Sequence, residues 1–150
     1  MRNNIILLAL TTLTLLGCQS SKNSTQSTDS VAEQHACIPA AFDSTAIWTL
    51  TTLNGEPVPT DTPCTLSLNS EQGEIQGHCF INTFFGSFKA TPCGKMRLDN
   101  MGMTMMAGPD DLMRLETAFL QALNSVNRYR VEEQTLMFLN GDTIILTFKQ

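Results

Sequence analysis

The chain has 150 residues, 42% of them hydrophobic and 15% charged, with a mean hydropathy of −0.03 and a formal charge of −5. That length predicts one globular domain, the hydrophobic content is too high for a disordered chain, and the acid excess argues against a nucleic-acid binder. No apolar run reaches the ~18 residues that mark a spanning helix.

The N-terminus carries an address. Met-Arg-Asn-Asn precedes the apolar stretch IILLALTTLTLL, then Gly17 and Cys18. A basic start, an apolar segment and a small residue at the cut make a secretory signal over 1–17. Leu15-Leu16-Gly17-Cys18 resembles the bacterial lipobox, in which the peptidase cuts before a cysteine that receives lipid; palmitate-type acylation is therefore expected on Cys18. Gln19 follows, where an Asp would signal inner-membrane retention, so an outer-membrane address with the domain in the periplasm is expected. Several acyl chains anchor stably where a single one does not. Residues 18–36 are then lipid anchor and tether, because their Ser- and Thr-rich composition buries too little apolar surface to fold. The domain is expected over 37–150.

Ile47-Trp-Thr-Leu-Thr-Thr-Leu53 reads as a β-strand stopped by Asn54-Gly55, and Pro57, Pro59 and Pro63 mark a loop. The segments 64–68 and 74–79 flank a turn-like Asn69-Ser-Glu-Gln-Gly73. Pairing Leu68 with Ile75 aligns both apolar faces, places Leu66 opposite Gly77, and brings Cys64 opposite Cys79. In an oxidising compartment four cysteines besides Cys18 suggest two disulfides. Register favours Cys64–Cys79, and Cys37–Cys93 follows by elimination. The absence of CxxC spacing weakens zinc and thioredoxin-like readings.

The hairpin continues into Phe80-Ile-Asn-Thr-Phe-Phe-Gly-Ser-Phe88, and Thr91-Pro-Cys-Gly94 is a turn. An extended Met-rich stretch follows, Lys95 to Ala107. Gly108 at the cap, Pro109 at the first helical position, and Asp110 and Asp111 start a helix. Its stripe is Leu112, Leu115, Phe119, Ala122, Leu123 and Val126. A strand near Tyr129–Val131 precedes a hairpin around Asn140-Gly141-Asp142, in which Leu136 is expected opposite Leu146 and Phe138 opposite Ile144 through an odd-length loop. These elements predict an α+β fold: a curved antiparallel sheet or small distorted barrel with one helix packed on it.

Five segments in this order resemble the META domain family of HslJ-like heat-shock lipoproteins: Trp48-Thr-Leu-Thr-Thr-Leu-Asn-Gly55, Gly77 through Asn82 to Phe88, Thr104-Met-Met-Ala107, Glu116-x-x-Phe119-x-x-x-Leu123-x-x-Val126-x-x-Tyr129, and the closing Leu136-x-Phe138 with Leu146-x-Phe148. The resemblance spans about 46–149. It implies a small distorted β-barrel or sheet with a helix across it, secreted or lipid-anchored, whose fold is similar to that of a type III secretion pilot lipoprotein. Binding rather than catalysis is the implied role. Two family cysteines are absent here, replaced by Ile81 and Gly108, as expected if they are partners.

Function is less legible. Phe80, Asn82, Phe84, Phe85, Met101, Met103 and Met105 are the candidate lining of an apolar or partner-binding site. Thioethers also suit Cu(I), and strand alternation would place Met101, Met103 and Met105 on one face. Methionine equally fills irregular core space, and packing is the expected role, with no metal and no cofactor. Asn82 reads as a buried amide pinning a strand bend. No nucleophile–base set is visible, so no enzyme is expected. The expected role is a non-catalytic outer-membrane lipoprotein that binds an envelope protein or apolar ligand, in envelope stress. The alternatives are a Cu(I)-handling protein or a pilot-like or inhibitor-like docking module.

Overall fold

The computed structural model describes Phe42 and residues 45–150; the expected signal peptide, Cys18, the tether and Cys37 lie outside the described residues. The elements are β1 (Trp48–Leu53), β2 (Glu56–Pro57), β3 (Thr65–Asn69), β4 (Glu74–Cys79), β5 (Asn82–Ala90), β6 (Met96–Met103), α1 (Asp110–Asn124), β7 (Arg128–Glu132), β8 (Thr135–Asn140) and β9 (Thr143–Lys149). All strand pairs are antiparallel, and the order is β6-β5-β4-β3-β1-β9-β8-β7, with β2 beside β1. This is the expected α+β architecture. The sheet curls until its two ends meet. Lys95 bridges Arg128, the Met96 amide donates to the Asn127 carbonyl at 3.0 Å, and the Tyr129 amide donates to the Gly94 carbonyl at 2.7 Å. Register shifts at Leu50/Thr52, Phe85/Ser87 and Phe138/Leu139 supply bulges, which bend strands and raise their twist.

The β3–β4 hairpin has the register that its apolar alternation dictates. Leu68 pairs with Ile75, Leu66 with Gly77, and a disulfide joins Cys64 to Cys79. Asn69 closes the turn, its side-chain oxygen accepting from the Glu71 and Gln72 amides at 3.0 and 3.1 Å. Gly77 has to be glycine: a Cβ there would strike the Thr65 carbonyl oxygen and come within 2.6 Å of the Phe84 ring. Cys93 is exposed in the turn between β5 and β6.

Two expectations are corrected. In the last hairpin Leu136 pairs with Phe148 and Phe138 with Leu146, while Ile144 pairs with Leu139 and points outward, 41% exposed. The loop is the two residues Gly141 and Asp142, Gly141 at φ 60°, and the bulge at Phe138/Leu139 supplies the odd residue that an apolar match requires. The slip by two keeps Leu136, Phe138, Leu146 and Phe148 on the inner face, because side chains alternate with period two. At the helix, Pro109 is the N-cap (φ −57°, ψ 140°) rather than the first helical residue. The chain stays extended through Pro109 and turns into the helix only at Asp110. Asp110 and Asp111 occupy the first turn, at the positive end of the dipole.

α1 lies against β1, β6 and β9. Phe119, Ala122 and Leu123 are buried beneath it, and the Phe119 and Phe84 rings meet at 5.3 Å between centroids. With Leu66, Leu68, Ile75, Leu136, Phe138, Leu146 and Phe148 also fully buried, side chains occupy the space between helix and sheet.

Phe119→Ala is expected to cost ~3–5 kcal/mol in denaturant unfolding, because a fully buried ring leaves both a lost transfer term and a cavity. Replacing Cys64 and Cys79 together by Ala is expected to cost about 3 kcal/mol on chain-entropy grounds. Non-reducing peptide mapping checks the connectivity: a Cys64 peptide joined to Cys93 would contradict the hairpin register.

Candidate functional site

β4 and β5 are joined by Phe80 and Ile81, and Phe80 sits at φ 57°. A bulky side chain rarely adopts that conformation, which costs on the order of 1–3 kcal/mol and persists only where surroundings enforce it. Here the Ile81 amide donates to the Cys79 carbonyl across the turn at 2.6 Å, and α1 adds a second hold. Glu116, 6% exposed, lies on the inner face of the helix. One of its oxygens, Oε1, accepts from the Asn82 amide at 2.8 Å and the Ile81 amide at 3.3 Å; the other, Oε2, accepts from Asn82 Nδ2 at 2.7 Å. The helix thus holds the turn by its backbone.

Asn82, 2% exposed, passes the connection on. Its Nδ2 also donates to the Met106 carbonyl at 3.2 Å. Its Oδ1 accepts from the Thr104 hydroxyl at 2.8 Å and the Met106 amide at 2.7 Å. Two donors and two acceptor sites are all that a carboxamide offers, so Asn82 is saturated. Thr104 in turn exchanges backbone and side-chain bonds with Thr83, at 3.0 and 3.1 Å. Three separate pieces of chain, the β4–β5 turn, the 104–106 segment and α1, are tied through one amide and one carboxyl group.

A second joint lies beside this knot. Ile81 packs over Gly108 so closely that a Cβ on Gly108 would sit 2.5 Å from its terminal methyl group. The two positions expected to be partners are therefore neighbours in space, joined by a branched hydrocarbon on bare backbone.

The candidate lining residues do not assemble into one surface. Phe80, Asn82 and Phe84 face inward and are buried. Phe85 is the next residue on β5 and alternation sends it to the outer face, 55% exposed, with its ring over Gly102. Met101 and Met103 are half-buried against the core, in line with a packing role. Met105 departs from that expectation: it is 98% exposed. β6 ends at Met103, and the capture of Thr104 and Met106 by Asn82 takes the chain off the sheet, so the alternation relating the three methionines stops there. Met106 is 56% and Met113 41% exposed. A shallow, open depression on α1 is lined by Asp110, Met113, Arg114 and Thr117.

Glu116 was not among the candidates read from sequence. Its signal is an acid within the apolar stripe: Leu112, Glu116, Phe119 and Leu123 share one helical face, and a carboxyl group there needs donors from whatever the face covers.

The META domain family model matches residues 42–150, and the chain belongs to that family. A search of curated proteins gave no match. Among solved structures, an NMR structure of a protein from Burkholderia xenovorans is similar at 25% identity and a TM-score of 0.58, covering 79% of this chain and 86% of that one. A second NMR structure is similar at 25% identity and a TM-score of 0.55, with 71% and 89% covered. The crystal structure of a DUF4847 family protein from Bacteroides vulgatus shares the fold at 15% identity, with a TM-score of 0.51 and 71% and 92% covered.

The knot makes a sharp prediction. Asn82→Asp replaces the donor facing Glu116 by an oxygen and sets two carboxyl groups against each other. It is expected to destabilise by more than Asn82→Ser, and Glu116→Gln in the same chain is expected to recover part of the loss. Removing Glu116 outright, as Ala, leaves the Asn82 amide and one N–H of its side chain without their acceptor, while the Ile81 amide keeps the Cys79 carbonyl at 2.6 Å; the cost is ~1–3 kcal/mol for each donor that stays buried. Thermal unfolding of the four variants measures the coupling.

Proposed function

We propose that this protein is an outer-membrane lipoprotein, acylated at Cys18, whose META domain binds a protein partner in the periplasm and catalyses no reaction. The observation that carries the reading is the paradox of Met106. Its amide and carbonyl are both held by Asn82, yet its side chain and that of Met105 stand in solvent, 56% and 98% exposed. Exposed apolar side chains on an immobilised backbone are preorganised anchors, because little conformational entropy remains to be lost on docking. Methionine suits such surfaces, being apolar and adaptable.

A protein partner is favoured over a small apolar ligand because Phe84, Phe119 and Leu123 occupy the space between helix and sheet. Binding is favoured over catalysis because the buried polar groups of Asn82 and Glu116 spend their hydrogen bonds on one another and on nearby backbone. The family resemblance supports a role during envelope stress.

Two measurements test the reading. Palmitate labelling of the full chain in cells is expected on the native protein and absent from Cys18→Ala; label retained by that variant would refute the anchor. A photo-crosslinking residue at position 105 is expected to capture a discrete envelope protein, whereas one at Asp142, 97% exposed in its side chain, is not. Identical adducts from both positions would refute the Met105 and Met106 surface.

A further inference from the structure

The chain is acidic overall, but its bases are not spread evenly. Of the seven lysines and arginines among the described residues, five lie around the junction of β5, β6 and β7: Lys89, Lys95, Arg97, Arg128 and Arg130. They share the outer surface. Lys89 is directly opposite Arg97, and Lys95 is bridged to Arg128. Lys95 and Arg97 flank the buried Met96, and Arg128 and Arg130 flank the buried Tyr129, so alternation turns all four outward.

Like charges placed directly opposite on a sheet destabilise it, and here two such pairs stand side by side where the sheet closes. Three acids answer part of the charge: Asp99 on Arg97 at 2.7 Å, Asp142 on Arg128 at 3.0 Å and Glu132 on Arg130 at 3.7 Å. Asp142 and Glu132 are 97% and 62% exposed, so these pairs are weak and exchange readily for another anion. Lys89 and Lys95 have no ion pair among the described residues.

The same place receives the chain from the N-terminus. Phe42 packs edge-on against Phe88, with ring centroids 5.8 Å apart, and at a tilt against Tyr129, at 5.3 Å. Phe88 precedes Lys89, and Tyr129 lies between Arg128 and Arg130. Counting from Cys18, 24 residues lead to Phe42.

We infer that the β5–β6–β7 junction is a membrane-facing surface whose lysines and arginines bind the phosphates of anionic phospholipid headgroups. The inference rests on the tethered reading above for its orientation. Tethering raises the local lipid concentration, so a patch too weak to hold a free protein still orients an anchored one. Acyl chain and basic patch are the two signals that together fix a domain against a bilayer.

The test uses the full chain carrying Cys18→Ala, so that acylation contributes nothing, with cosedimentation on phosphatidylcholine vesicles and on vesicles containing phosphatidylglycerol. Residues 1–17 are expected to bind both compositions through apolar contact, which the neutral vesicles measure, and Arg2 and the N-terminal amine add the same anionic contribution to every variant. Binding to the anionic vesicles is expected to exceed the background and to fall as salt rises. Lys89→Gln with Lys95→Gln is expected to reduce the anionic excess on the order of tenfold. The charge-matched pair Arg114→Gln with Lys149→Gln is expected to leave it nearly unchanged. All four sites are exposed, and thermal unfolding confirms that each variant is folded. No anionic excess, or equal loss in both pairs, overturns the inference. Failure of palmitate labelling would instead remove the anchor while leaving the lipid selectivity standing, so the two claims fail separately.

Discussion

The domain depends on a carboxyl group that reaches out of a helix to hold the backbone of a turn. Without Glu116, the left-handed turn at Phe80 keeps only the Ile81–Cys79 backbone bond and the β4–β5 pairing to hold it. Without that turn, Asn82 does not point between α1 and the 104–106 segment, and Met106 loses both of its backbone partners. Apolar packing brings α1 down on the sheet through Phe119 and Leu123, but packing is tolerant of small shifts in a way that hydrogen bonds are not. The polar knot sets where along the sheet the helix sits, and the hydrophobic stripe supplies most of the free energy that keeps it there.

The parts of the fold legible in the sequence were those governed by a local period. Of the registers that align Cys64, Leu66 and Leu68 with Ile75, Gly77 and Cys79 on one face, the one that sets the two cysteines opposite each other is the one formed. The helix is marked by its stripe and by two acids at its start. The last hairpin escaped because a bulge adds a residue that no alternation rule announces, so a match shifted by two looked equally good. The polar site was half legible. Asn82 stood out as an amide among aromatics, whereas Glu116, 34 residues away along the chain, is its partner only because the fold brings α1 over β5. Met105 was misplaced for a related reason. Its strand was expected to continue, and the side-chain capture that ends it is a tertiary event.

The two surfaces proposed for contact lie toward opposite ends of one strand. Arg97 stands near the start of β6, and Met105 follows its end. Eight residues of extended chain span about 26 Å, close to the full height of a domain this size. A protein fastened to a bilayer at the basic end would hold the methionine end away from it. Because β6 pairs with β5 along nearly its whole length, the separation is fixed by the sheet.

Ile81 on Gly108 bears on where such a protein can work. Where relatives are expected to close this joint with two sulfurs, the contact here needs no oxidant to form and no reductant opens it. Among the described residues the covalent closure is confined to one hairpin, between cysteines 15 residues apart. The seat of the helix is thereby independent of thiol oxidation. Under reducing conditions the described part of such a chain would lose the staple that joins β3 to β4 and would keep the helix docked on its turn.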